Sequence, residues 1–374
     1  MFATLRAAMT GCLLACLLTA CATPIARMPV ITPEAGQGEV RTLLVASVRM
    51  PSEEPGRRFT DARSPKLNFA ETGVWVPNQR DPGEIDYPGQ RLDPAREFAL
   101  TGYAPIENVD AFLDRLNTQL ESLPQGDRHA VLFVHGFNTP FSNGLYLNAQ
   151  ILTDFQSDAV GVHFAWPSAG QVSSYLYDRD SAQFSRSGLA RTVELLARSE
   201  ADSITLIAHS MGALLAMEAL RELSLHGETG VIERLDAVIL ASPDIDSDVF
   251  RDQVGSLAAM PEHLVVIVSH RDRLLALSSL LRGERAPRVG LGNHAEELTA
   301  LGVTIIDLTR FGDGGGFNHT TFASSPTLMN MVTSGALEAA LMGRSTRENG
   351  GPADTIFSLA ASIVSLPVRA LVRK

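Results

Sequence analysis

The chain has 374 residues, 45% of them hydrophobic and 20% charged, which is enough apolar mass for a large buried core. Asp and Glu (42) outnumber Lys and Arg (31) for a formal charge of −11, a sign that repels phosphate backbones and anionic lipid and so excludes nucleic acid as a partner. All three cysteines, Cys12, Cys16 and Cys21, fall within the first 21 residues, so the body of the chain forms no disulfide and must rest on packing.

Residues 1–20 read as a lipoprotein signal peptide. Arg6 supplies a short positive region, and residues 9–18 are small and apolar but too few to span a bilayer. The stretch ends in Leu18-Thr19-Ala20-Cys21, which resembles the bacterial lipobox, where cleavage leaves a cysteine that receives acyl chains. An ordinary secretory signal cut after Ala22 is the alternative, because Ala20-Cys21-Ala22 also has the small-x-small form. The lipobox reading expects a protein of the cell envelope, held at a membrane through lipid on Cys21 and facing the periplasm. Ala22, where some inner-membrane lipoproteins carry aspartate, points to the outer membrane.

Residues 21–40, rich in Pro, Gly and small side chains, read as a tether, followed by one domain over residues 41–345. Strands are expected at 41–48 and 69–76, separated by Pro-, Arg- and Asp-rich loops at 51–66 and 77–95. Helical spacing of Val109, Phe112, Leu113, Leu116 and Leu120 predicts a helix over 109–123. Strands are then expected at 130–134, 160–166, 204–208, 237–241, 264–269 and 303–308, with helices at 141–155, 189–198 and 212–223 among them. Strands apolar on both faces, alternating with helices, predict an α/β fold with a mostly parallel central sheet and helices on both faces. The tail, residues 346–374, contains an apolar stretch from 357 that reads as a packed helix or as an amphipathic helix at a membrane surface.

In such sheets chemistry collects at the carboxyl ends of the strands. After the expected strand ending at Ala208 comes His209-Ser210-Met211-Gly212 and then a helix, the order of a nucleophile elbow with Ala208 in place of the first glycine of Gly-x-Ser-x-Gly. Ser210 is the candidate nucleophile; a plain helix N-cap serine is the alternative. A hydroxyl needs a base, and the base an acid to hold its tautomer, in the chain order Ser, acid, His. His319 follows the last expected strand across a glycine-rich loop, whereas His294 precedes that strand, so His319 is the candidate base. Asp272, just after the 264–269 strand, is the candidate acid, with Asp244 and Asp246 after the preceding strand as alternatives. The oxyanion hole is expected from the backbone amides of Met211 and Phe137, the latter following Gly136 in the loop after residues 130–134. His135 reads as a support of that loop and Trp166 as a core residue. Asp244, Asp246 and Asp248 begin like a calcium loop, but Val249 stands where glycine is needed and Gly255 where glutamate is needed, so no metal is expected. The glycine-rich loop before His319 lacks the Gly-Lys-Ser/Thr of a phosphate cradle, and no cofactor is implied.

The segments VLFVHGFNTPF, FAWPSAG, SYLYDRDSAQFSRSGL, TLIAHSMG, LASPDIDSDVF and FNHTTF occur in that order and resemble the uncharacterised α/β-hydrolase family known as domain of unknown function 900, over roughly residues 41–322. The resemblance implies an esterase- or lipase-like fold and a Ser-Asp-His triad. The expected activity is hydrolysis of a small-molecule or lipid ester through an acyl-enzyme on Ser210. Residues 167–188, with Tyr175, Tyr177 and Asp178-Arg179-Asp180, are expected to form a lid or specificity wall, or else a solvated loop and helix. Two other readings share these residues: an acyltransferase or thioesterase using the same triad, and a catalytically silent binding protein of the envelope.

Overall fold

The computed structural model describes residues 27–54, 56–272, 274, 275, 278, 287–292, 295–309, 320–325 and 329. The strands are β1 (Gly38–Pro51), β2 (Phe59–Pro77), β3 (Ala99–Ile106), β4 (His129–Val134), β5 (Val160–Ala165), β6 (Ser203–His209), β7 (Ala237–Ala241), β8 (His263–Val268) and β9 (Val303–Asp307). Among them run helices α1 (Val109–Glu121), α2 (Phe141–Asp154), α3 (Tyr175–Ala197), α4 (Met211–Leu225), α5 (Thr229–Glu233), α6 (Ser247–Gly255), α7 (Ala295–Ala300) and α8 (Thr321–Ser324).

The strands form one sheet in the order β3-β2-β1-β5-β4-β6-β7-β8-β9. From β1 through β5 to β9 every pairing is parallel, while β2 and β3 extend the sheet antiparallel beyond β1. The α/β class and the parallel centre are as the apolar runs lead one to expect. The antiparallel edge is longer than expected: β2 starts inside the stretch read as a loop, and β3 arises where no strand was anticipated. Within the stretch read as a tether, Leu100 of β3 bonds the Pro29 carbonyl and the Ile31 amide, and Met28 is buried.

Successive side chains along a strand point to opposite faces, and the sheet buries both. Leu44 and Ala46 of β1, Leu132 and Val134 of β4, and Leu206 and Ala208 of β6 pack in one layer with α1, α3 and α4. Their neighbours Leu43, Val45, Val131, Phe133 and Ile207 pack in the other, with Leu145, Tyr146, Ala149 and Leu152 of α2. Parallel strands so covered need apolar residues at every position, hence the unbroken runs in the sequence. The carboxyl ends of β4, β6, β7 and β8 lie on one edge of the sheet, and the loops leaving them converge there.

One buried ion pair ties the periphery to this frame. Asp154, at the end of α2, pairs with Arg80 at 4% and 5% side-chain exposure. Its carboxylate also accepts from the Gly83 amide (2.7 Å) and Gln150 Nε2 (2.6 Å). Gln150 Nε2 in turn donates to the Ala323 carbonyl at 2.9 Å, so the pair fastens both the loop after β2 and the α8 segment onto α2.

Breaking a buried pair strands its partner, so Asp154→Ala should lower the unfolding free energy by about 3 kcal/mol in urea titrations. A loss of under about 1 kcal/mol, the scale of an exposed pair, would show that the latch does not carry this load.

Candidate active site

Ser210 sits at the junction of β6 and α4, 3% exposed, with φ 55° and ψ −118°. A left-handed φ on a non-glycine residue is costly and persists only where the surroundings impose it. Here they do. The Ser210 amide donates to the Ala241 carbonyl at the end of β7 (2.9 Å), and its carbonyl accepts from the Ala213 amide (3.0 Å) and the Asp244 amide (3.2 Å). Two glycines let the elbow close. A Cβ on Gly212 would lie 2.3 Å from the His135 carbonyl oxygen and 2.8 Å from that of Val134, so α4 lies against the end of β4 at a distance that only hydrogen permits. A Cβ on Gly136 would lie 2.8 Å from His209 Nδ1 and 3.0 Å from Ser210 Cβ.

The predicted oxyanion donors flank this point. Met211 is the first residue of α4, and the amide there has no carbonyl a turn earlier to bond. Phe137 follows Gly136 and packs edge-on against Tyr175, with ring centroids 5.2 Å apart. Phe137, Tyr175 and Ser210 line one cavity of about 270 Å³, with Leu147, Val172 and Leu275 as further apolar wall and Asn143, Asp244 and Ser278 as polar groups. Val172 and Tyr175 come from the segment expected to be a lid or wall. Most of that segment is the first half of α3, whose Asp178 is fully buried.

The three acid candidates sit in different surroundings. Asp272 follows β8, is 1% exposed, and accepts from the Leu275 amide at 3.0 Å. Asp244 lies in the cavity wall, pairs with the buried Arg288 (3.2 Å), and accepts from the hydroxyls of Tyr175 (2.7 Å) and Ser278 (2.8 Å). Asp246 caps α6 through the amides of Asp248 and Val249. His319, His294 and Cys21 lie outside the described residues. Thr320, which follows His319, lines the same cavity as Ser210, and two residues on the Phe322 ring lies tilted against His209, with centroids 5.0 Å apart.

Beneath the loop after β4 lies a column of rings. His135 stacks on Trp166 (4.9 Å) and neighbours His163 (5.8 Å), which also lies beside Phe133 (6.0 Å). The His135 ring nitrogens are 3.0 Å from the Gly136 carbonyl and 3.1 Å from the Trp166 carbonyl, and Trp166 Nε1 donates to the His135 carbonyl at 2.7 Å. Burial, with Arg49 and His163 adding to it, holds the His135 pKa well below 6.5, so a neutral ring offers one proton to these two carbonyls. Burial, with Arg49 again, lowers His163 to about 3; neither of its nitrogens has a hydrogen-bond partner among the described residues.

The sequence reading missed several contributors. Arg49 and Arg288 are buried guanidiniums, and Asp178 and Ser168 bond the loop that carries Phe137. The recurrence of Asp178, Ser181, Ala182, Ser185 and Leu189 at helical spacing would have extended α3 to its true start. That face is small and polar, and an apolar count passes over it.

The family described as alpha/beta hydrolase of unknown function (DUF900) matches residues 109–336. An uncharacterized protein of Nostoc sp. is 28% identical over 26% of this chain and 32% of its own length, so this chain spans about a third of that relative. Among solved structures, Aspergillus fumigatus lipase B is 16% identical, covering 66% of this chain and 60% of its own, with a TM-score of 0.37. Esterase B from Lactobacillus rhamnosis, inhibited by a tributyrin phosphonate, is 12% identical over 82% of each chain, with a TM-score of 0.32.

The neutral rings make stability depend on pH. The unfolded chain protonates His163 near 6.5 and the folded protein only near 3, so the unfolded state binds the extra proton between these values and stability falls as pH drops through that window. His163→Leu should remove this share, roughly 1.4 kcal/mol for each pH unit below 6.5, as read from urea midpoints at pH 7 and pH 5. Equal acid sensitivity in the two proteins would refute the assignment.

Proposed function

The chain belongs to the family of alpha/beta hydrolases of unknown function (DUF900), and from that premise we propose that it is a serine hydrolase cleaving a carboxylic ester of a small molecule or lipid, with Ser210 as nucleophile. The observation that carries the reading is the state of Ser210. A serine whose task is to cap a helix has extended backbone and accepts from the amides of the next turn. Ser210 makes no such side-chain bond and is held at φ 55° on the wall of a cavity.

In this mechanism Ser210 Oγ attacks the ester carbonyl while its proton passes to His319, which Asp272 orients. The carbonyl oxygen, now anionic, is met by the amides of Phe137 and Met211. Collapse of the tetrahedral intermediate breaks the acyl–oxygen bond, and the proton on His319 goes to the leaving alkoxide. Water then gives a proton to His319 and adds to the acyl carbon, and the acid leaves as Ser210 recovers its hydrogen. Of the three acids, Asp272 is assigned the orienting role because it is buried just after β8, at the carboxyl edge of the sheet next to its last strand.

A series of p-nitrophenyl esters of graded chain length, run on wild type and Ser210→Ala, tests this. The substitution should cut kcat/KM by about 10³-fold or more and abolish labelling by a fluorophosphonate. Undiminished hydrolysis in Ser210→Ala, or a folded wild type inert to the probe, would sink the reading; the second result would favour a silent binding protein.

A further inference from the structure

Asp178 is a carboxylate with no exposure to water, placed on α3 and not in a loop that follows a strand. Its Oδ2 accepts from the Asn138 amide at 3.1 Å and from Ser168 Oγ at 2.5 Å, and its Oδ1 accepts from the Ala169 amide at 2.7 Å. Ser168 Oγ accepts in turn from the Thr139 amide at 2.9 Å. Arg49, 2% exposed near the end of β1, donates to the carbonyls of Thr139 (2.9 Å) and Ser168 (3.1 Å). One buried anion and one buried cation therefore grip the same two loops, after β4 and after β5, the anion by two amides and a hydroxyl and the cation by two carbonyls.

The orientation of a backbone amide is that of its peptide plane. Phe137 stands between two such planes. The first contains the Gly136 carbonyl and the Phe137 amide, and His135 Nδ1 lies 3.0 Å from that carbonyl oxygen. The second contains the Phe137 carbonyl and the Asn138 amide, and Asp178 takes that amide. With Asn138 at φ 56°, the chain turns sharply at once, and the Thr139 amide goes to Ser168. Neighbouring amides are thus consumed in order, and Phe137's is bonded to neither Asp178 nor Ser168.

We propose that Asp178 is a positioning residue for ester hydrolysis, fixing the peptide plane that follows Phe137 so that the Phe137 amide, in the plane before it, meets the oxyanion formed on the Ser210 adduct. The proposal rests on the serine-hydrolase reading above. Preorganised donors stabilise a developing charge because they need no reorganisation when it forms, and a buried carboxylate bonded to three donors on two loops supplies such rigidity. Asp178 touches no reacting atom. Its loss should act on the transition state and leave substrate binding, which depends on the cavity walls, largely unchanged.

The test uses Asp178→Asn, which keeps the volume and one acceptor but turns a donor toward one of the two amide-bearing loops, and Ser168→Ala, which removes only the hydroxyl link. For Asp178→Asn, kcat should fall about tenfold to a hundredfold with KM within about twofold. The affinity for a trifluoromethyl ketone, which forms an oxyanionic adduct on the serine, should fall in parallel with kcat. Ser168→Ala should shift both in the same direction by a smaller factor, and carries the test should Asp178→Asn not fold. Wild-type kcat in either folded variant, or a loss confined to KM, overturns the positioning role while leaving Ser210 as nucleophile. Wild-type protein that neither turns over esters nor reacts with a fluorophosphonate overturns the parent reading instead.

Discussion

The contact on which the rest depends is the approach of α4 to the end of β4. With hydrogen in place of a side chain at Gly212, the helix starts against the carbonyls of Val134 and His135. The chain leaving β6 then has room for one residue before the helix, and that residue, Ser210, must turn at positive φ. The same closeness brings the loop after β4 against the elbow, where a Cβ on Gly136 would meet His209 and Ser210. The strain at Ser210, of the order of 1–3 kcal/mol, is borne by the parallel sheet, since the Ser210 amide is held by Ala241 on the neighbouring strand. A site so made needs a rigid frame more than it needs many residues.

The parts of this frame that were legible in the sequence share a cause. A strand covered on both faces tolerates only apolar residues, so β4, β6, β7 and β8 appear as short uninterrupted runs, and the turn between β6 and α4 stands out by its small residues. Ser210, Phe137 and Met211 could be placed because each is defined by its distance along the chain from the end of such a run. The first half of β2 and all of β3 lack this signature. They lie at the antiparallel edge, where β2 alternates between buried and exposed positions, and charges such as Arg63 and Glu71 break up the pattern. The start of α3 was hidden for a related reason: its inward face is built of Asp178, Ser181 and Ser185, which bury polar groups on specific partners rather than apolar area.

The acid shows where spacing alone runs out. Asp244, Asp246 and Asp272 all follow a strand by a few residues, and position along the chain favours Asp272 without showing what surrounds any of them. Their environments differ because each carboxylate must be compensated when it leaves water: Asp246 by the first amides of its own helix α6, but Asp244 by Arg288 and two hydroxyls from remote segments. Such pairings join residues up to 69 positions apart, as Tyr175 and Asp244 are, and no local pattern records them.

The buried charges around the Phe137 loop follow the same logic to its end. Taking Arg49 and Asp178 out of water is expensive; burial lowers the Arg49 pKa to about 10 and raises that of Asp178. A hydrophobic plug of the same volume would serve stability at least as well. What it would lack is direction. Apolar contacts fill space but do not fix the rotation of a peptide plane, whereas a carboxylate with three donors and a guanidinium with carbonyl acceptors do. On the role proposed for Asp178, the cost of burying these two groups is offset by the orientation they impose on the loop that carries Phe137, which apolar packing alone would leave free to rotate.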